Sequence, residues 1–163
     1  MESDAQSWAK LVACYHALGD EPRMRKAAEM AVAQAEQVLA HDQSNGAVMS
    51  FGARGYAALG EMERAKEWME RAMLIDPDNL NMRYNLACMI AVHLDENDAA
   101  ISLLERNFAN SGVLYVKAAE ADPDLDPLRD DPRFRAMLDG ARNRLGMVPA
   151  EVAATASGNQ ATS

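Results

Sequence analysis

Asp122, Asp124 and Asp126 alternate along the chain, the spacing with which a calcium-binding loop opens. Such a loop also needs a glycine at its sixth position and a bidentate glutamate at its twelfth, and here Pro127 and Arg133 stand there. The carboxylates read instead as caps of helix ends beside prolines. His16, His41 and His93 are far apart in the chain with no HxxxH or HExxH spacing to unite them on a metal, so each reads as a surface or groove side chain. Cys14 and Cys88 form no CxxC pair and lie in apolar helical stretches, the pattern of buried free thiols. Ser44 and Ser111 fall in turns, where serine is ordinarily a cap. With no nucleophile elbow, phosphate-cradling glycine loop or pair of catalytic acids, the sequence calls for no catalytic residue, no metal and no cofactor.

What remains is the scaffold. The 163 residues suffice for one domain with a real core. Aromatic residues make up only 6% and β-branched runs are scarce, whereas Ala, Leu, Glu, Met and Arg are plentiful, so an all-α class is expected. The 25 acidic residues outnumber the 16 basic ones, and a formal charge of -9 repels polyphosphate, which excludes general nucleic-acid binding. No apolar run reaches the ~18 residues of a membrane span and Met1-Glu-Ser-Asp does not begin a signal peptide, so no membrane partner and a cytoplasmic location are expected.

Along the chain, Trp8, Leu11, Val12, Tyr15 and Leu18 recur at helical spacing and stop at Gly19. Pro22 opens a second helix that runs to about His41, and Asp42 to Gly46 turns the chain. The cycle returns with helices over 48–59 and 62–75, a break at Asp76-Pro77-Asp78-Asn79, then helices over 80–94 and 99–108. Met24, Met30, Met49, Met62, Met69, Met73, Met82 and Met89 mostly fall at core spacing and read as packing. Arg23, Arg25 and Lys26 read as a solvated helix face, or as a receiver for an acidic partner.

Superposing the segments reveals a repeat. Trp8, Tyr15 and Gly19 lie 41 residues before Met49, Tyr56 and Gly60; Tyr56 lies 34 before Ile90; Ala65 and Ala72 lie 35 before Ala100 and Asn107. The period is near 34, with about seven extra residues, or two helical turns, in the first unit. The segment Gly46 to Pro77 resembles a tetratricopeptide repeat, whose consensus begins W-x2-L-G-x2-Y, continues through two spaced alanines and ends in proline. Met49, Gly52, Ala53, Tyr56, Gly60, Ala65, Met69, Ala72 and Pro77 take those places. Trp8, Leu11, Val12, Tyr15 and Gly19 fit the first helix of an earlier unit. Leu86, Ala87, Ile90, Ala100 and Leu104 fit a later one, in which Asn107 and Gly112 replace the last Ala and the Pro.

Axes in a helical hairpin lie ~8–10 Å apart, and small residues permit the closest approach. Ala65, Ala72 and Ala87 are expected at such crossings, so enlarging any of them costs ~1–3 kcal/mol. The resemblance implies a right-handed superhelix of about three hairpins with C-terminal capping helices. Its units are about 5–45, 46–79 and 80–111, with a cap over 112–147. The Asp/Pro segment with Leu125, Leu128 and Phe134 resembles an ending seen after such repeats in bacterial signalling proteins, where the apolar residues dock on the last hairpin. Asp131 and Pro132 suit the start of a closing helix with Phe134, Met137, Leu138, Ala141 and Leu145 on one stripe. Residues 148–163 lack hydrophobic period and are expected to be disordered.

The resemblance also implies that the first helices of successive hairpins line a groove for an extended peptide or a helix. Carried onto this chain, the groove residues are His16, Ser50, Phe51, Arg54, Asn81, Tyr84, Asn85 and Cys88, with Ala9, Ala13 and Ala57 beside them. Among the histidines, His16 has the register that points toward the concave face. Recognition of chaperone EEVD tails is excluded, because Ala9, Ala13, Phe51, Asn81 and Asn85 occupy the places of its charged and amide contacts. The expectation is a non-catalytic protein-binding or scaffolding module. The alternative is a self-association module for an attached bacterial signalling enzyme, with Ala9, Ala13, Ala57 and Ala91 accepting a second copy's helix.

Overall fold

The computed structural model describes residues 2–147; the segment 148–163, expected to be a disordered tail, lies outside the described residues. Among the described residues eight α-helices follow one another: α1 (Glu2–Ala17), α2 (Glu21–Leu39), α3 (Gly46–Leu59), α4 (Met62–Ile75), α5 (Leu80–His93), α6 (Asn97–Asn110), α7 (Val113–Ala121) and α8 (Pro132–Arg144). A 3-10 helix, Pro123–Leu128, stands between the last two, and no strand occurs among the described residues.

Side-chain caps fix where α2, α3, α5 and α8 start. The side chains of Asp20, Asn45, Asn79 and Asp131 accept from the amides of Arg23, Val48, Met82 and Arg133, satisfying donors that the first helical turn leaves free. The stops of α1 and α3 are alike. Gly19 and Gly60 adopt φ of +67° and +84°, and the amides that follow them fold back onto Tyr15 and Tyr56 at 2.9 Å. In the third hairpin the left-handed position falls to Asp95, at φ +52°. Because α1 ends at Ala17, Leu18 belongs to the turn rather than to the apolar stripe expected of it, and it is 76% exposed.

Successive pairs α1–α2, α3–α4 and α5–α6 form antiparallel hairpins, and α1, α3 and α5 pack side by side. Ala65, Ala72, Ala87 and Ala100 are fully buried among them. The main core gathers Met49, Tyr56, Met82, Leu86, Ile90, Leu104 and Phe108, and extends without interruption into Leu125, Leu128 and Phe134 of the ending. Trp8, Leu11 and Tyr15 pack half-buried on a separate cluster of Val12, Ala27, Ala28 and Ala58. The eight methionines, most of them expected at core spacing, are each buried or half-buried.

Asn107, at the place of the repeat's last alanine, is buried. Its amide donates to the Leu80 carbonyl at 2.5 Å and to the Tyr115 hydroxyl at 2.6 Å, tying α6 to α5 and α7. Over the ending, Phe134, Leu138 and Ala141 are buried and Met137 and Leu145 half-buried. Leu114 is 85% exposed, so α7 presents part of its apolar sequence to solvent.

Candidate functional site

A cleft of about 680 Å³ opens between α1, α3 and α5. Ala9, Lys10 and Ala13 line it from α1; Ser50, Phe51 and Arg54 from α3; Asn81, Tyr84, Asn85 and Cys88 from α5. The first helices of three successive hairpins thus present one surface, and seven of the eight expected groove residues meet on it. His16 is elsewhere. It lines a neighbouring cleft of about 360 Å³ with Val92, Asp126 and Pro127, and its ring centroid is 5.5 Å from that of His93. Ala57 and Ala91, expected beside the groove, are buried and do not line the cleft.

The far wall was not foreseen. Asp122 and Asp124, at the entry to the 3-10 helix, reach into the cleft. Arg54 Nη1 donates to Asp124 Oδ2 at 2.7 Å, and Nη2 to the Asn85 carbonyl at 3.3 Å. The Tyr84 hydroxyl donates to Asp122 Oδ2 at 2.6 Å, and the Cys88 thiol lies 3.9 Å from the same oxygen. Asp122 Oδ1 accepts from the Asp124 amide at 3.0 Å, which fixes the bend of the segment. Asp126 pairs with Arg129 at 2.6 Å. These are the carboxylates that mimic a calcium loop, and the protein's own donors engage all three.

Two sequence signals pointed to this wall. Arg54 is the one charged residue of α3, in the middle of Gly46-Ala-Val-Met-Ser-Phe-Gly-Ala-Arg-Gly-Tyr-Ala-Ala-Leu59. A buried guanidinium requires a counter-charge. The second signal is Leu125, flanked by aspartates: a leucine docked in the core carries its neighbours inward with it.

Electrostatics follow from burial. Desolvation works against the Arg54 charge, yet the Asp124 carboxylate, helped by Cys88 and Asp122, holds its pKa above the ordinary value. The Tyr84 hydroxyl is pushed up by burial, then by Cys88 and by its bond to Asp122, and so stays a neutral donor. Burial likewise raises the Cys88 thiol, the opposite of what a reactive cysteine needs. Cys14, expected to be buried, is exposed, on the face of α1 that lines the cleft.

The comparisons with known proteins bear on the second hairpin. A family model described as tetratricopeptide repeat matches residues 54–79, from the middle of α3 through α4 to the cap of α5. The fold is an all-α helical repeat of tetratricopeptide type. Comparison with curated proteins and with solved structures gave no match. Within the matched tetratricopeptide segment lie Tyr56, Gly60, Ala65, Ala72 and Pro77 of the repeat pattern, and also Arg54 of the cleft. Trp8, Tyr15 and Gly19 before it, and Ala87 and Ala100 after it, extend the tetratricopeptide spacing to the neighbouring hairpins. Tetratricopeptide repeats generally mediate protein–protein contacts and are typically non-catalytic scaffolds. No helix among the described residues is long and apolar enough to cross a membrane.

Proposed function

We propose that this domain is a non-catalytic protein-binding module that receives an extended peptide in the cleft between α1, α3 and α5. The observation that carries the reading is the convergence of three first helices on one open surface, where the α3 and α5 walls offer neutral amides and the α1 wall offers Lys10. Asn81 and Asn85 offer amides suited to a peptide backbone, and Phe51 gives the floor an apolar area for a side chain. Such a surface binds by contact and needs no cofactor. The acidity of the chain disfavours nucleic acid as the partner, and a cytoplasmic setting beside a bacterial signalling enzyme suits the ending.

The test is selection of short random peptides on the immobilised chain, followed by titration of the winners. Saturable binding that weakens about fivefold in Asn81→Ala and in Asn85→Ala supports the reading. Binding that ignores both substitutions, or no saturable binding at all, overturns it. Self-association is a second reading, favoured by Leu74 and Leu114, 83% and 85% exposed. A monomer in sedimentation at high concentration rules it out.

A further inference from the structure

We propose that Asp124 is a specificity-determining residue of the cleft. Its carboxylate occupies, from within the same chain, a carboxylate seat formed on Arg54, so the cleft takes peptides whose residue at that place is uncharged. The inference rests on the reading of the cleft as a peptide site and deepens it.

Arg54 lies at the middle of the surface, with α1 on one side and α5 on the other. Its guanidinium makes a 2.7 Å bond to Asp124, and both residues are more than nine-tenths buried. Tyr84, the other strong donor on the α5 side, is spent on Asp122 at 2.6 Å. On the α3 and α5 walls the two donors suited to seize an acidic side chain or a C-terminus therefore already hold one, and the lining cation Lys10 stands apart from this seat, on α1.

That occupant does not leave for a competitor. Leu125 and Leu128, both 0% exposed, anchor the segment in the core, so unseating the aspartates would carry two leucines into water. An acidic peptide entering the cleft meets an Arg54 already neutralised by Asp124, with the Asp122 carboxylate beside it, and like charges at close quarters reject a partner. The residue that faces this seat in an accepted peptide is a small or amide-bearing one.

The experiment is the same peptide selection run on the wild type and on Asp124→Asn, which keeps the shape and an acceptor for Arg54 but frees its charge. The winners from Asp124→Asn are expected to be rich in Asp and Glu where those of the wild type are not. They should bind the variant roughly tenfold more tightly than the wild type, and adding Arg54→Gln should abolish the gain. Winners of equal composition, or a gain that survives without Arg54, overturn the inference.

A second measurement is independent of any peptide. In Asp124→Ala the vacated seat is open to acetate. Acetate, against chloride at equal ionic strength, is expected to raise the melting temperature of this variant. It should raise neither that of the wild type nor that of Arg54→Met/Asp124→Leu. Equal responses in all three overturn the inference, as does an Asp124→Ala protein unfolded with and without acetate while the double variant folds. A selective acetate response beside a wild type that selects no peptide leaves the carboxylate seat standing and removes the peptide-binding reading alone.

Discussion

Between α2 and α3 the closest contacts are made by residues with almost no side chain. Ala28, Ala31 and Ala35 are fully buried on α2, and a Cβ placed on Gly55 would stand 2.9 Å from the Ala28 carbonyl oxygen. At the other end of the stack, between α5, α6 and α8, the core is built from Leu86, Ile90, Leu104, Phe108 and Phe134, with the two phenylalanine rings edge to face at 5.9 Å. One half is held by proximity of backbones, the other by volume of side chains. The first has no room for an added carbon, and the second has no substitute for a removed one.

The largest effect is therefore expected from truncation in the second half. Phe134→Ala empties a fully buried site under the Phe108 ring and should destabilise the fold by ~3–5 kcal/mol, read as a shift in a denaturant midpoint with the slope unchanged. Since Phe134 begins the helix that closes the stack, the same variant should loosen the segment carrying Asp122 and Asp124. Faster amide exchange there than in α2 would separate the two halves directly. A uniform rise in exchange over all helices would show that the halves unfold as one unit.

The same contrast explains what could be read in advance. The helices of the second hairpin were legible because glycine stops, asparagine caps and spaced alanines are local signals, and residues 62–75 agree with α4 to the residue. Seven groove residues were placed by repeat register, which is also local. The wall of the cleft depends on a contact between Arg54 and Asp124, 70 positions apart. Local patterning marks Arg54 as needing a partner without saying which of 25 acidic residues supplies it. The meeting of His16 and His93 is similarly a product of α1 and α5 lying on either side of α3. His16 sits at the lip of the stack because α1 ends a residue later, at Ala17.

That histidine pair lies on the seam between the halves and gives it a pH signature. Burial, then Arg54, then His16 lower the pKa of His93 from 6.5 to about 4. The folded state holds the imidazole neutral while the unfolded chain protonates it near its ordinary value. Between pH 6.5 and 4 the unfolded state thus binds more protons, and stability falls as pH falls across that window. The loss should reach ~2–3 kcal/mol at the acid end and be removed by His93→Gln, as chemical denaturation at stepped pH would show. The groups facing His93 include His16 and Arg54, with Asp124 and Asp126 lining the adjoining cleft. Asp131, held at about 2 mainly by its bond to Arg133, loses its own contribution as pH falls from its ordinary 3.8 toward 2, under this window. A profile that is flat from pH 6.5 to 4 would place His93 in water rather than between the halves.

The smallest effects test the first half, and there the sign matters more than the size. Alanine is the better helix former by about 1 kcal/mol, so a Gly→Ala change in an unobstructed helix stabilises. Gly140 on α8 is such a place, with nothing within 4 Å of an added Cβ. At Gly55 the added carbon meets Val32 Cγ2 at 2.8 Å and the Ala28 carbonyl at 2.9 Å. A valine methyl can rotate away; a carbonyl inside α2 cannot move unless the helix moves with it. Relief requires α2 and α3 to part, at ~1–3 kcal/mol for overpacking, which outweighs the gain in propensity. Gly140→Ala should raise the melting temperature slightly and Gly55→Ala lower it by a few degrees, since ~1 kcal/mol shifts a domain of this size by about 2–4 °C. If both substitutions raised it, the backbones of α2 and α3 would not be in contact, and the close-packed half of the stack would owe its stability to side chains after all.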